Sequence, residues 1–186
     1  LSNGGSIART SQTISAQGFD VNNSALDILA TDSFSPPYPW WISTVANGGV
    51  VNVAAGSTLP GVDVYGVNGN GDRATLHLNG DVALNGNIRS YSQGVVDLHA
   101  GTLTATGHEL SFDGIGSVTQ TGGHFATKNL SLSNGATMNY GSGDTITDSA
   151  YLSSGASLTL AQDLSLTGNL SIDGAATTLA TAGHAF

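Results

Sequence analysis

The chain has 186 residues, with 26 Gly, no Cys, 4 Lys or Arg and 13 Asp or Glu, for a formal net charge of −9. Only 9% of residues are charged, against roughly 25% in an average soluble domain, so Ser, Thr, Asn, Gln and Gly must cover the surface; this excludes a disordered acidic tail and, with only 4 Pro and no Gly at every third place, a collagen helix. Arg9, Arg73, Arg89 and Lys128 are too few and too scattered to neutralise a phosphate backbone or an anionic membrane, which removes nucleic acid as a partner.

Residues 1–47 read as irregular first coils. Asn3-Gly4-Gly5 supplies a turn, Ile14, Phe19 and Val21 supply apolar points, and Ser24 is placed to cap a single helical turn through Leu26, Ile28 and Leu29. Then comes Ser35-Pro36-Pro37-Tyr38-Pro39-Trp40-Trp41. Each Pro lacks the amide donor that a central strand needs, so 34–41 is a loop thrown out from its scaffold. Apolar runs never exceed about five residues, too short for a spanning helix. The absence of Cys removes disulfides and thiolate metal sites. The chain opens on Leu1 rather than Met, which we read as a processed or excised piece.

From Gly48 a repeat takes over. Gly71, Gly94, Gly116, Gly135, Gly155 and Gly174 divide the rest of the chain into units of roughly 19–23 residues. The later units start with Gly-Ala at 135, 155 and 174. Asp113-Gly114, Asn134-Gly135, Ser154-Gly155 and Asp173-Gly174 have the residue types that turn a chain through positive φ. Between corners the apolar residues alternate: Leu76 and Leu78, Val82 and Leu84, Leu130 and Leu132, Leu158 and Leu160, Leu164 and Leu166, Leu170 and Ile172. Period two marks short strands with one buried face. Two all-β architectures bury such strands, an antiparallel sandwich or barrel and a right-handed parallel β-helix, or β-solenoid, with coils of about 19–23 residues. The return to one start every twenty residues or so favours the β-helix. Residues 48–186 then form about seven regular coils, roughly 33 Å long, and the break at Phe186, part-way into a coil, leads us to expect further coils or a partner beyond it.

The Gly-Ala starts and the runs Asn129-Leu-Ser-Leu-Ser133 and Asn169-Leu-Ser-Ile-Asp173 make the chain resemble the coils of filamentous-haemagglutinin-like exoproteins and autotransporter passengers, over roughly 94–186 and more weakly back to 48. The resemblance implies a bacterial β-helical adhesin, secreted or held at the cell surface. Its implied partners are an outer-membrane translocator during secretion and a surface protein or glycan of a host or neighbouring cell.

Catalytic constellations are harder to find. The acidic residues fall one or two per coil, without the facing carboxylates of a glycosidase. Asp144 and Asp163 sit at similar offsets and, if stacked, would hold a cation or shift upward in pKa. His77 and His99 occupy similar places in adjacent coils, yet none of His77, His99, His108, His124 and His184 has a metal-ligand spacing. Asn68-Gly-Asn-Gly-Asp72 and Gly141-Ser-Gly-Asp144 are similar to a calcium-binding nonapeptide but lie far apart in sequence, so turn chemistry explains them better. No phosphate loop or nucleophile elbow occurs, and we expect no enzyme, no cofactor and no metal. Tyr38, Trp40 and Trp41 are the sharpest non-repetitive feature. Such rings either cover the scaffold or contact a glycan or protein partner. The expected function is a structural shaft and adhesive module. The alternatives are a glycan-binding or glycan-cleaving β-helix and a filament subunit joined end to end.

Overall fold

The computed structural model describes residues 4–8, 12–38 and 42–186. All regular elements among them are β-strands, and they stack in parallel as a three-faced solenoid of about eight turns. Face one holds β1 (Ser6–Ile7), β4 (Ala25–Ile28), β7 (Val50–Ala54), β10 (Thr75–Asn79), β13 (Val95–Ala100), β15 (Val118–Gln120), β17 (Thr137–Tyr140), β19 (Ser157–Leu160) and β21 (Thr178–Ala180). Face two holds β2 (Ser15–Ala16), β5 (Ser33–Phe34), β8 (Thr58–Leu59) and β11 (Val82–Leu84). Face three holds β3 (Asp20–Asn22), β6 (Ile42–Ala46), β9 (Gly61–Tyr65), β12 (Ile88–Tyr91) and β20 (Leu170–Asp173). The longer β14 (Thr102–Asp113), β16 (His124–Ser133) and β18 (Thr145–Ser153) serve faces two and three together. Register shifts at 105–109 and 127–129 bend them around the shared edge.

Coil length follows from the residues paired on face one. Ser6, Ala25, Val50, Thr75 and Val95 lie over one another in turn, as do Val96 and Val118, and then Thr137, Ser157 and Thr178. The two widest steps, from Ala25 to Val50 and from Val50 to Thr75, carry the connection that leaves β5 after Phe34, a residue expected in the loop but found in the strand, and the loop at 66–74. Insertions thus leave the stack through corners and do not disturb the rungs. The corner between faces three and one repeats one backbone solution. Asn47-Gly48, Asn134-Gly135 and Ser154-Gly155 all have positive φ at both residues, with 48° and 78°, 51° and 80°, and 51° and 79°. Asn tolerates this region and Gly has no Cβ to clash there.

Register places apolar side chains over one another. On face one Leu26, Val51, Leu76 and Val96 form one inward column, and Ile28, Val53, Leu78 and Leu98 another. On face three Val62, Ile88, Leu110, Leu130 and Ala150 line up, each 0% exposed. The neighbouring column runs Val64, Ser90, Phe112, Leu132, Leu152. Ser90 is the polar interruption, and its hydroxyl donates to the carbonyl of Gly94 at 2.8 Å. The large Phe112 sits on the next rung above this small residue.

Two local expectations are corrected. Ser24 caps no helix: its hydroxyl donates to the Asn22 carbonyl, and Ala25–Ile28 is strand β4 with Leu26 and Ile28 inward. Pairing to β7 and β1 on its two sides outweighs one local capping bond. Leu164 and Leu166 alternate in sequence but lie outside any strand. Their segment is held by single bonds, Leu164 N–H to Ala185 and Gly168 N–H to Asp148, so Leu164 is buried and Leu166 only half-buried.

Candidate functional site

Outward side chains on face one form a polar ladder. Asp27, Asn52, His77, Asp97 and Thr119 succeed one another rung by rung. Asn52 Nδ2 donates to Asp27 Oδ1 at 2.9 Å, His77 Nδ1 lies 3.0 Å from Asp97 Oδ2, and Thr119 Oγ1 donates to Asp97 Oδ1 at 2.7 Å. Beside it His99 Nδ1 meets Thr121 Oγ1 at 3.1 Å. His77 and His99 are thus held by different partners. Among the described residues no group of three or more His, Asp or Glu side chains is placed to share a metal ion.

Asp144 and Asp163 are not brought together either. Asp144 is 3% exposed and fixes a corner: Oδ1 accepts the Phe125 N–H at 2.9 Å and Oδ2 the Gly141 N–H at 2.8 Å. Burial raises its pKa, opposed by those two amides and by His124, whose Nδ1 is 3.5 Å away. The expected upward shift is present, but desolvation is its cause, not a second carboxylate. Asp163 lies outside, 74% exposed at its side chain, where it accepts the Ala185 N–H and lies 3.4 Å from His184. Asp32 repeats the Asp144 arrangement, with Ile14 and Leu29 as its donors at 2.7 and 2.8 Å. The sequence singled out Asp144 for a different partner and did not single out Asp32. Their only signal is an Asp three residues after the donor that closes its turn.

Turn chemistry accounts for the Asn68–Asp72 segment. Asn68 Oδ1 accepts the N–H groups of Asn70 and Asp72, both at 2.9 Å. Gly141 to Asp144 is closed in both directions, since the Asp144 N–H also donates to the Gly141 carbonyl. Next to the first loop, Arg73 lies along the corner stack and donates to the carbonyls of Gln93, Gly94 and Gly116, tying three coils together. On face three, Arg89 forks onto Asp63 through Nε and Nη2 at 2.8 and 2.7 Å. This pairing raises the Arg89 pKa further. Tyr65 and Tyr91 stack above one another nearby, with centroids 5.2 Å apart and planes 8° from parallel. Burial, followed by the charge of Asp63, raises the Tyr91 pKa.

Of the aromatic loop, Tyr38 is 52% exposed, while Trp40 and Trp41 lie outside the described residues. A cleft opens elsewhere. The ladder of face one is interrupted between β15 and β17, which lie side by side without backbone pairing. One side-chain bond spans them, from the Asn139 N–H to Gln120 Oε1 at 3.0 Å. At the end of β15 the N–H groups of Thr121 and Gly123 both donate to the carbonyl of Leu98 on the preceding rung. No protein family, curated protein or solved structure matches the chain.

Proposed function

We propose that this chain is the non-catalytic structural shaft and adhesive module of a bacterial secreted or cell-surface exoprotein. The observation that carries the reading is the continuity of the stacked core: apolar columns run through successive parallel rungs while the outward polar groups are bound to the coils above and below. Such a body resists bending and proteolysis because most central rungs are hydrogen-bonded to the rungs on both sides. Its Ser, Thr and Asn surface stays hydrated with few charges, and loops leave it only at corners, where binding segments such as 34–41 can project. Secretion through an outer-membrane translocator and contact with a host or neighbouring cell, through protein or glycan, complete the reading.

Single-molecule pulling tests the shaft. Each coil of about twenty residues should release on the order of 65 Å of chain in its own force peak; extension without a peak would sink the mechanical role. Beads coated with the chain should adhere to epithelial or bacterial cells, and the adhesive role falls if they do not.

A further inference from the structure

The geometry points to the cleft between β15 and β17 as a binding site for a small neutral saccharide unit, which would make face one, beside the corner loop, an adhesive surface of the shaft; this rests on the adhesive reading above. The cleft is about 320 Å³, lined by Val118, Thr119, Gln120, Thr137, Met138 and Asn139 with Thr121 and Thr159 at its ends. It is a groove open to solvent rather than an enclosed cavity. Three observations give the occupant its chemistry.

First, the core is sealed less tightly here than anywhere else in the middle of its column. Val51, Leu76 and Val96 below, and Leu158 above, are each 0% exposed, whereas Val118 and Met138 are 6% and 5% exposed. Both line the cleft, so its floor is apolar and one side of it is an adaptable thioether. Second, the rim consists of hydroxyls and amides. Gln120 gives its Oε1 to the Asn139 N–H, which fixes the side chain and leaves its amide N–H groups as donors, and Thr137 and Asn139 are exposed. Third, no titratable side chain lines the cleft, and the carboxylate on the adjoining rung, Asp97, is already engaged by His77 and Thr119. A charged ligand would find no counter-charge, and a purely apolar one would leave the rim groups unpaired. A pyranose matches both surfaces, with C–H groups for Val118 and Met138 and hydroxyls for Thr, Gln and Asn. The unpaired strand edges add backbone donors and acceptors that no other central rung of this face offers.

The test is an NMR titration of the whole chain with glucose, galactose, mannose and N-acetylglucosamine in turn, at millimolar concentration. At least one should give saturable amide shifts confined to 118–121 and 137–139. Thr137→Val, at an exposed position where folding is not at stake, and Gln120→Ala should each weaken that sugar by about tenfold, the loss expected for one hydrogen bond. No saturable shift with any of the four sugars, or shifts that persist unchanged in both variants, overturns the proposal. The bead assay separates it from the adhesive reading. Cells that bind beads of the Thr137→Val and wild-type chains equally, with no sugar shift, leave adhesion standing and remove the cleft. Sugar shifts with beads that bind no cell support the cleft and remove adhesion.

Discussion

Replacing Asp144 by Ala removes the acceptor of two amides that point at one buried carboxylate, those of Phe125 and Gly141. A buried donor left without a partner costs about 1–3 kcal/mol, so the pair sets a gross loss of about 2–6 kcal/mol. Removing a carboxylate that is itself costly to bury offsets part of it. The net expectation is a loss of about 2–4 kcal/mol, which for a chain of this size lowers the melting temperature by about 4–16 °C. Asp144→Asn keeps one acceptor oxygen but turns an NH₂ toward the other amide, and should cost about 1–3 kcal/mol. Thermal melting followed by circular dichroism reads both. The pH dependence is the sharper test. Burial raises the folded pKa of Asp144 above its unfolded value, so the folded state favours the proton. Its contribution to stability is full below the ordinary carboxylate range near 4 and is lost as pH rises through the folded value. The wild type should therefore gain melting temperature relative to Asp144→Asn as pH falls from 7 toward 4.5. If it loses instead, then His124 at 3.5 Å and the two amides hold the anion more strongly than burial opposes it, and the desolvation argument fails.

Three further outcomes are expected from the same columns and corners. Phe112→Ala, at a fully buried side chain above the small Ser90, should cost about 3–5 kcal/mol. Ile172→Ala, in the same column but 47% exposed on β20, should cost about 1 kcal/mol or less, and equal losses by denaturant titration would contradict the stacked core. Gly94→Ala drives a Cβ into the Val64 carbonyl and should cost about 3 kcal/mol or more. Gly155→Ala has open space and a φ of +79°, so only the left-handed backbone resists it, at about 1 kcal/mol; a reversed order would mean the coils are not in van der Waals contact at that corner. Arg89→Met leaves Asp63, 8% exposed, without its forked partner, and should destabilise more than Lys128→Met, whose Nζ lies 3.8 Å from Asp148 in a half-exposed pair.

How much of this was legible in the sequence depends on whether the information was local. The corners were, because a turn through positive φ admits few residues: Asn134-Gly135 and Ser154-Gly155 adopt it as read. So were the inward pairs Leu76 and Leu78, Leu130 and Leu132, and Leu158 and Leu160, all buried to within 1%. Leu170 and Ile172 show the limit of the rule, since an alternating strand is covered only when rungs lie on both sides of it. The Ser24 helix failed for a related reason. Leu26 and Ile28 fit period two, Leu29 adds a helical spacing, and the choice is made by β1 and β7, a whole coil away along the chain on either side. The coil from Val50 to Thr75 is longer than the Gly cuts imply, because Gly71 lies inside a corner loop and the next rung starts only at Thr75. The cleft had no local signature: whether β15 pairs with β17 depends on how two rungs about twenty residues apart lie over one another, and the residues of either rung do not carry that information.

A parallel solenoid tolerates this mixture of strict and loose positions because its constraints act along columns rather than along the chain. An inserted loop at 66–74 leaves the Val51, Leu76 and Val96 column in register, since the loop is confined to a corner and Arg73 ties the neighbouring corner carbonyls together. A fault within a rung has no such outlet. The lost pairing at β15 is felt directly at the cleft, at Val118 and Met138, and has vanished one rung further on, at Val96 and Leu158. Interactions that reach only the nearest neighbour let one rung trade sealing for an exposed polar edge while the rest of the solenoid keeps its core. That is the physical condition under which the cleft proposed above can open in the side of a solenoid without unravelling it.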